Sequence, residues 1–296
     1  MNKRDFYIVD VFAEAKYAGN QLAVIADAGG LSGGQMQEIA KEMNYSETTF
    51  ILSDKPQDGG YDVRIFTPDV EVPFAGHPTL GTAFVIQQEI ARRQVETINL
   101  NLEIGQIPVT FNYDGRQTGV LWLKPKEPVF GDVFDAGQVQ RFLTIDKEDI
   151  DQRFPIQQVS AGIPFIFVPL KTLDAVKRAG IIMDKLLDWV AEKGTSREVF
   201  VFCPEAYNKD NDINARMFAE CVGVPEDPAT GSANCCLAAY LVKHRYFETS
   251  KIDVRVEQGY EIGRPSLLYL KAEEKEGKID VAVGGKVAMV AKGELV

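Results

Sequence analysis

The sequence predicts an α+β fold made of two pseudo-symmetric lobes, and three observations carry that prediction. Strand-like segments outnumber helical ones, and few helices separate consecutive strands, so the alternation of a doubly wound parallel sheet is missing. A strand–loop–glycine–helix unit occurs twice, once around Gly76 and once around Gly231. Between the two lies Lys124-Pro125-Lys126-Glu127-Pro128, whose prolines and charges suit a linker. The lobes are expected over residues 1–124 and 129–296, with 125–128 as linker and the terminal strands free to cross between lobes.

The first repeated unit spans Tyr61 to Ile90. Tyr61, Val63 and Ile65 alternate with Asp62 and Arg64, the period-two pattern of a half-buried strand. Pro68 and Pro73 break it. Ala75-Gly76-His77-Pro78 then opens a helix in which Leu80, Ala83, Phe84, Gln87 and Ile90 recur at helical spacing, Gln87 being the polar exception. Pro78 suits the first helical position, where its missing N–H has no partner to lose. His77 therefore stands at a helix mouth, whose free N–H groups and dipole favour a carboxylate.

The second unit turns through Glu226-Asp227-Pro228-Ala229-Thr230-Gly231-Ser232-Ala233 into a helix with Leu237, Tyr240 and Leu241 on one face. Ser232 stands to Gly231 as His77 stands to Gly76, and serine is a preferred N-cap. Upstream, Arg216-Met217-Phe218 echoes Arg64-Ile65-Phe66. Two such helix mouths imply a two-lobed cleft in which both ends face one anion.

The remaining elements follow in order. Phe6–Val11 and Leu22–Ile25 are strands joined through Tyr17-Ala18-Gly19-Asn20. Ser32 and Gln35 match a capping box, and the helix they open carries Met36, Ile39, Ala40 and Met43 on one stripe, stopping at Asn44. Tyr45–Leu52 moves into a β-branched strand. Ile98–Leu102, Ile107–Tyr113 and Gly119–Leu123 are strands, the last two joined by an Asp114-Gly115 hairpin turn. The second lobe has strands at Gln157–Ser160, Phe165–Pro169 and Val199–Cys203 and a helix over Met183–Lys193. After the Ser232 helix come Ile252–Glu257, Ser266–Leu270, Ile279–Val283 and Val287–Ala291, the final pair turned by Gly284-Gly285.

Composition bounds the function. A net charge of −11 argues against a nucleic-acid partner and leaves an anionic substrate dependent on local donors. No apolar run approaches a membrane span, and the N-terminus enters a strand carrying Asp10 and Glu14 rather than a signal peptide. Cys203, Cys221, Cys235 and Cys236 form no ligand-spaced cluster, so reduced buried thiols, no metal and a cytoplasmic address are expected. With neither a dinucleotide fingerprint nor a P-loop, no nucleotide cofactor is indicated.

Five polar residues compete for chemical roles, each with a structural reading beside the functional one. Glu47 is either an exposed charge where a strand begins or an enclosed acid/base whose pKa rises on desolvation. His77 either contacts a ligand or caps its own helix. Asp227 either forms a turn before proline or holds a substrate group. Ser232 reads as a cap rather than a nucleophile, because no nucleophile elbow accompanies it. His244, followed by Arg245, is explained by favourable interaction with a helix end.

Four ordered motifs add to this reading: Gly19-Asn20-Gln21-Leu22-Ala23-Val24; Asn44-Tyr45-Ser46-Glu47-Thr48-Thr49-Phe50; Phe66-Thr67-Pro68 with Glu71-Val72-Pro73-Phe74-Ala75-Gly76-His77-Pro78-Thr79-Leu80-Gly81; and Glu226 to Ala233. With a closing Gly284-Gly285-Lys286-Val287 hairpin, the chain resembles the PhzF-like family of phenazine-biosynthesis isomerase relatives over nearly its whole length. The resemblance implies a diaminopimelate-epimerase-like fold, in which each lobe is a β-barrel-like sheet around a central helix and the active site lies between lobes. It also implies a homodimer, no cofactor and a small carboxylate substrate, a dihydro-hydroxyanthranilate in the phenazine pathway. Glu47 falls on the family's general acid/base. His77, Asp227 and Ser232 fall on its substrate-contacting residues, with Gly76 and Gly231 giving backbone contacts. Gln21 replaces a usual proline and Tyr45 a usual leucine, which bears on substrate identity.

Racemases and epimerases of the same fold place a cysteine before each helix-mouth glycine. Here those positions hold Ala75 and Thr230, neither of which can act as a thiolate base. A single-carboxylate proton shift is therefore expected over two-base racemisation. A ligand-binding protein that keeps the cleft without turnover is the alternative from another class.

Overall fold

The computed structural model describes residues 3–219 and 224–296, so Cys221 lies outside the described residues. The chain forms two compact units, Met1–Lys124 with Gly284–Val296, and Pro125–Val283.

In the first unit, β1 (Arg4–Val11) and β2 (Asn20–Ile25) lead into α1 (Gly33–Met43) and β3 (Glu47–Ile51). There follow β4 (Tyr61–Phe66), β5 (Glu71–Val72), α2 (Gly76–Val85), β6 (Thr97–Leu102), β7 (Gly105–Asp114) and β8 (Gln117–Leu123). β2 runs parallel to β3, and β4 parallel to β6. Each parallel pair needs a crossover longer than a hairpin, and α1 and α2 supply them.

The second unit contains β9 (Val129–Phe134), α3 (Ala136–Val139), β10 (Ile156–Ser160), β11 (Pro164–Pro169), α4 (Leu173–Arg178) and α5 (Met183–Lys193). It continues through β12 (Val199–Cys203), β13 (Ile213–Ala219), β14 (Val224–Asp227), α6 (Gly231–Lys243), β15 (Lys251–Gln258), β16 (Ser266–Lys275) and β17 (Lys278–Gly285). β11 is parallel to β12 across α4 and α5, and β13 is parallel to β15 across α6. The order of elements repeats that of the first unit. β18 (Val287–Leu295) then returns to the first unit and pairs antiparallel with β1.

Two central helices organise the units. α2 touches β1, β2, β3, β6, β7, β8 and β18, and every residue from His77 to Val85 is buried. α6 touches β10, β11, β15 and β16 and buries Ala233 through Val242. A helix apolar all round needs sheet on several sides, and both find it. Gly81 makes the fit possible in the first unit, because a Cβ there would stand 2.6 Å from Leu22 Cδ2 and 2.8 Å from Val11 Cγ2. Outside each sheet lies a second core. α1 covers Ile25, Phe50 and Phe66 through Met36 and Ala40. In the second unit Leu186 and Trp189 of α5 pack with Phe142, Val168 and Val201.

The Arg-x-Phe echo is structural. Arg64 makes a two-pronged bond to Glu71, both distances 2.6 Å, and lies 5.1 Å from the Phe66 ring centre. Arg216 grips Glu226 at 3.0 and 2.7 Å and lies 4.8 Å from the Phe218 ring centre. Each clamp fixes the chain five residues before a helix-mouth glycine. Register carries the repeat further: Phe50 faces Arg64 and Val201 faces Arg216, which makes Glu198 the counterpart of Glu47.

Local signals are realised closely. Ser32 and Gln35 form the reciprocal capping box, and Asn44 ends α1 in the left-handed region at φ 53°. Three readings need correction. α2 begins at Gly76, so Pro78 is its third residue rather than its first; the N–H it lacks would still have had no partner. Gln87 is no flaw in an apolar stripe. It lies in a π-helical turn over Ile86–Ala91, where its buried amide donates to the Arg93 carbonyl at 2.9 Å and accepts from Gln88 at 2.7 Å. Gly284 and Gly285 are not a hairpin turn either: they end β17, while Val287 begins a strand whose partner is β1. A Cβ at Gly285 would meet the Phe12 ring at 2.3 Å, so close packing explains that glycine.

Candidate active site

Glu47 is the first residue of β3 and lies beside Leu22 of β2. It sits there because Asn44 stops α1 and β3 then runs into the interior toward the fully buried Phe50 and Ile51. Its side chain is 19% exposed, and its Oε2 stands 3.4 Å from Nε2 of His77. The first unit thus brings together two residues thirty positions apart in sequence and encloses the carboxyl rather than leaving it in solvent.

His77 is the second residue of α2 and is 5% exposed. It does not cap its helix: the N-cap is Ala75, in extended conformation, with no side-chain cap bond. Burial pushes its pKa down to about 3, opposed by a hydrogen bond to the Gln21 backbone. The ring is therefore neutral at ordinary pH, and the 3.4 Å contact is not an ion pair. Because Nε2 has no hydrogen-bond partner, Nδ1 is the nitrogen that donates to Gln21. That assigns the tautomer and leaves Nε2 as an acceptor aimed at Glu47. The anchor is a backbone carbonyl, so glutamine at position 21 serves as well as proline.

A neutral buried histidine makes stability depend on pH. Between about pH 6.5 and 3 the unfolded chain binds the proton that the folded ring refuses. Its contribution is thus intact above pH 6.5 and is lost as pH falls toward 3. Replacing His77 with Asn is expected to flatten the fall of Tm with pH across that window. Thermal denaturation at several pH values checks it; slopes unchanged by the substitution would contradict it.

The second helix mouth is built differently. Asp227 ends β14, and Pro228 and Ala229 lead to Thr230, the N-cap of α6 in extended conformation. Gly231 and Ser232 are the first and second helical residues, so their backbone N–H groups point out of the helix end without intrahelical acceptors. The structure therefore corrects Ser232 as a cap. Thr230 occupies that position, and its hydroxyl donates to Asp227 Oδ2 at 2.6 Å instead of capping. Gln258, unmarked by any sequence motif, closes a network around this loop from β15.

The other candidates have structural roles. His244 is the C-cap of α6, bonds Gln157 at 2.8 Å, and has its pKa lowered by burial and then by Lys243. The cation at the helix end is Arg245, which donates to the Val242 carbonyl at 2.9 Å. Burial pushes the Cys203 thiol up to about 12. Cys235 is raised by its contact with Cys236 and by burial. Among the described residues no group of three or more His, Cys, Asp or Glu is arranged to hold a metal ion, and no helix is long and apolar enough to cross a membrane.

The curated relatives of this chain define its class, an isomerase. Residues 9–293 match the family described as phenazine biosynthesis-like protein, and the chain belongs to that PhzF family. It is 34% identical to an uncharacterised isomerase of Clostridium acetobutylicum, over 100% of this chain and 99% of that one. It is also 34% identical to trans-2,3-dihydro-3-hydroxyanthranilate isomerase of Pseudomonas fluorescens, over 99% of both chains. The crystal structure of the PhzF-family phenazine biosynthesis protein of Bacillus anthracis superposes with a TM-score of 0.89, at 23% identity and over 100% of both chains.

Proposed function

We propose that the chain is a cofactor-independent isomerase that shifts a proton between carbons of a small cyclic carboxylate, with trans-2,3-dihydro-3-hydroxyanthranilate as the substrate type. Glu47 is the shuttle: its carboxylate takes the proton from one carbon, the electron pair delocalises through the adjoining double bonds, and the carboxylic acid returns the proton at another carbon. His77 presents a neutral ring whose Nε2 can accept from the protonated form of that carboxyl, so it favours the acid that returns the proton and supplies no proton of its own. The free N–H groups at the Gly76 and Gly231–Ser232 helix mouths and the Asp227 carboxyl are the substrate-binding groups. The enzyme works as a cytoplasmic homodimer.

The observation that carries this reading is the 3.4 Å contact of Glu47 with a buried, neutral His77. Its counterpart in the second unit supports one carboxylate over two bases. Glu198 is engaged by the Ser196 hydroxyl and the Arg197 N–H, and residue 232 is serine rather than histidine. Two-base racemisation finds no thiol either, since Ala75 and Thr230 hold the N-cap positions.

The test is incubation of chelator-dialysed protein with trans-2,3-dihydro-3-hydroxyanthranilate in deuterated water, without added cofactor. An isomerised ring is expected by NMR. An unchanged substrate, or turnover only on adding a metal or coenzyme, overturns the reading. Ser232→Ala is expected to weaken substrate binding while leaving stability within about 0.5 kcal/mol, because no cap bond is lost. Calorimetry and denaturation on the same sample separate the two effects.

A further inference from the structure

Thr230 stands where two-base enzymes of this fold carry a cysteine, and its hydroxyl is committed elsewhere. Gln258, at the end of β15 and fully buried, spans the loop from Asp227 to the first turn of α6. Its Oε1 accepts from the Thr230 backbone N–H at 3.2 Å and from Asn234 Nδ2 at 2.9 Å. Its Nε2 donates to the Asp227 backbone carbonyl at 2.8 Å and to the Thr230 hydroxyl at 3.1 Å. The amide cannot be turned over, because a backbone N–H only donates and a backbone carbonyl only accepts.

That fixed amide sets the direction of the next bond. Thr230 Oγ1 already accepts from Gln258, so its single proton goes to Asp227 Oδ2, 2.6 Å away. Oδ2 is then an acceptor toward Thr230. Gly259 allows the approach: it has φ +77°, and a Cβ there would stand 2.6 Å from the Pro228 carbonyl oxygen and 2.5 Å from that of Arg264. Both obstacles are backbone, so no side-chain shift relieves them.

We propose that Gln258 and Thr230 are positioning residues, a one-way relay that fixes the orientation of the Asp227 carboxylate by making its Oδ2 an acceptor. The role of Asp227 toward substrate rests on the proposed function; the relay itself does not.

Two readouts test them apart. The first is NMR of the Gln258 side-chain amide, assigned by Gln258→Met. Both amide protons are expected to exchange slowly in the wild type and in Thr230→Ser, whereas in Thr230→Val the proton facing residue 230 loses its protection. The second is calorimetry with 3-hydroxyanthranilate, a stable aromatic probe of the same substituents. Thr230→Val is expected to weaken binding about tenfold, the order of one charge-assisted bond, and Thr230→Ser to restore it within about threefold. An amide protected equally in Thr230→Val overturns the relay, as does a serine variant as weak as the valine one. If the wild type ignores the probe while the amide behaves as expected, the relay stands and the proposed function fails.

Discussion

Glu47→Gln is expected to abolish turnover while leaving ligand binding nearly intact. The amide keeps the size of the side chain and can still meet His77 Nε2, now as an N–H donor across the 3.4 Å gap. What it lacks is a site that both accepts a proton from carbon and gives it back. General acid–base catalysis supplies about 10²–10⁴-fold, and a residue that performs both steps forfeits at least the upper part of that range. Single-turnover kinetics beside calorimetry make the comparison. Turnover within a few-fold of wild type would remove Glu47 from the proton path.

The largest effect on stability is expected at Glu226. Arg216 and Glu226 have side chains 11% and 6% exposed, and deleting one partner of such a pair costs about 3–5 kcal/mol because the other charge stays buried. Glu226→Ala should sit toward the lower end of that range, since Arg216 also donates to the Val176 and Ala179 carbonyls at the end of α4. The matching pair in the first unit, Arg64 and Glu71, is 33% and 35% exposed. Glu71→Ala should therefore cost about 0–1 kcal/mol. Urea denaturation of the two variants tests whether burial, rather than geometry, sets the difference; equal losses would refute it.

Features governed by neighbours in sequence were legible in advance. The capping box at Ser32, the stop at Asn44, the hairpin at Asp114-Gly115 and the helix over Met183–Lys193 each depend on residues within one turn. The repeated glycine–helix units were legible too, because an all-apolar helix after a glycine is rare enough to notice twice. Pairing partners were not. Gly284-Gly285 read as a hairpin because adjacent glycines usually turn a chain, while the actual partner of Val287 is Val11, near the other end of the sequence. Gln258 was missed for a similar reason. A glutamine in a strand carries no motif, and only folding brings its amide to Thr230, 28 positions away. The N-cap position of Ser232 failed by two residues, since glycine at the helix mouth can be the first helical residue as readily as the one before it.

The pairing of β18 with β1 has a consequence for how the protein is made. The second unit is one continuous stretch, Pro125–Val283, inserted into a first unit whose sheet needs both Arg4–Val11 and Val287–Leu295. On the ribosome the inserted unit can complete its contacts while the earlier one still lacks a strand, reversing the usual N-terminal-first order. Until Val287–Leu295 has been made and has paired, β1 presents an open edge beside β2, the kind of edge that invites mispairing.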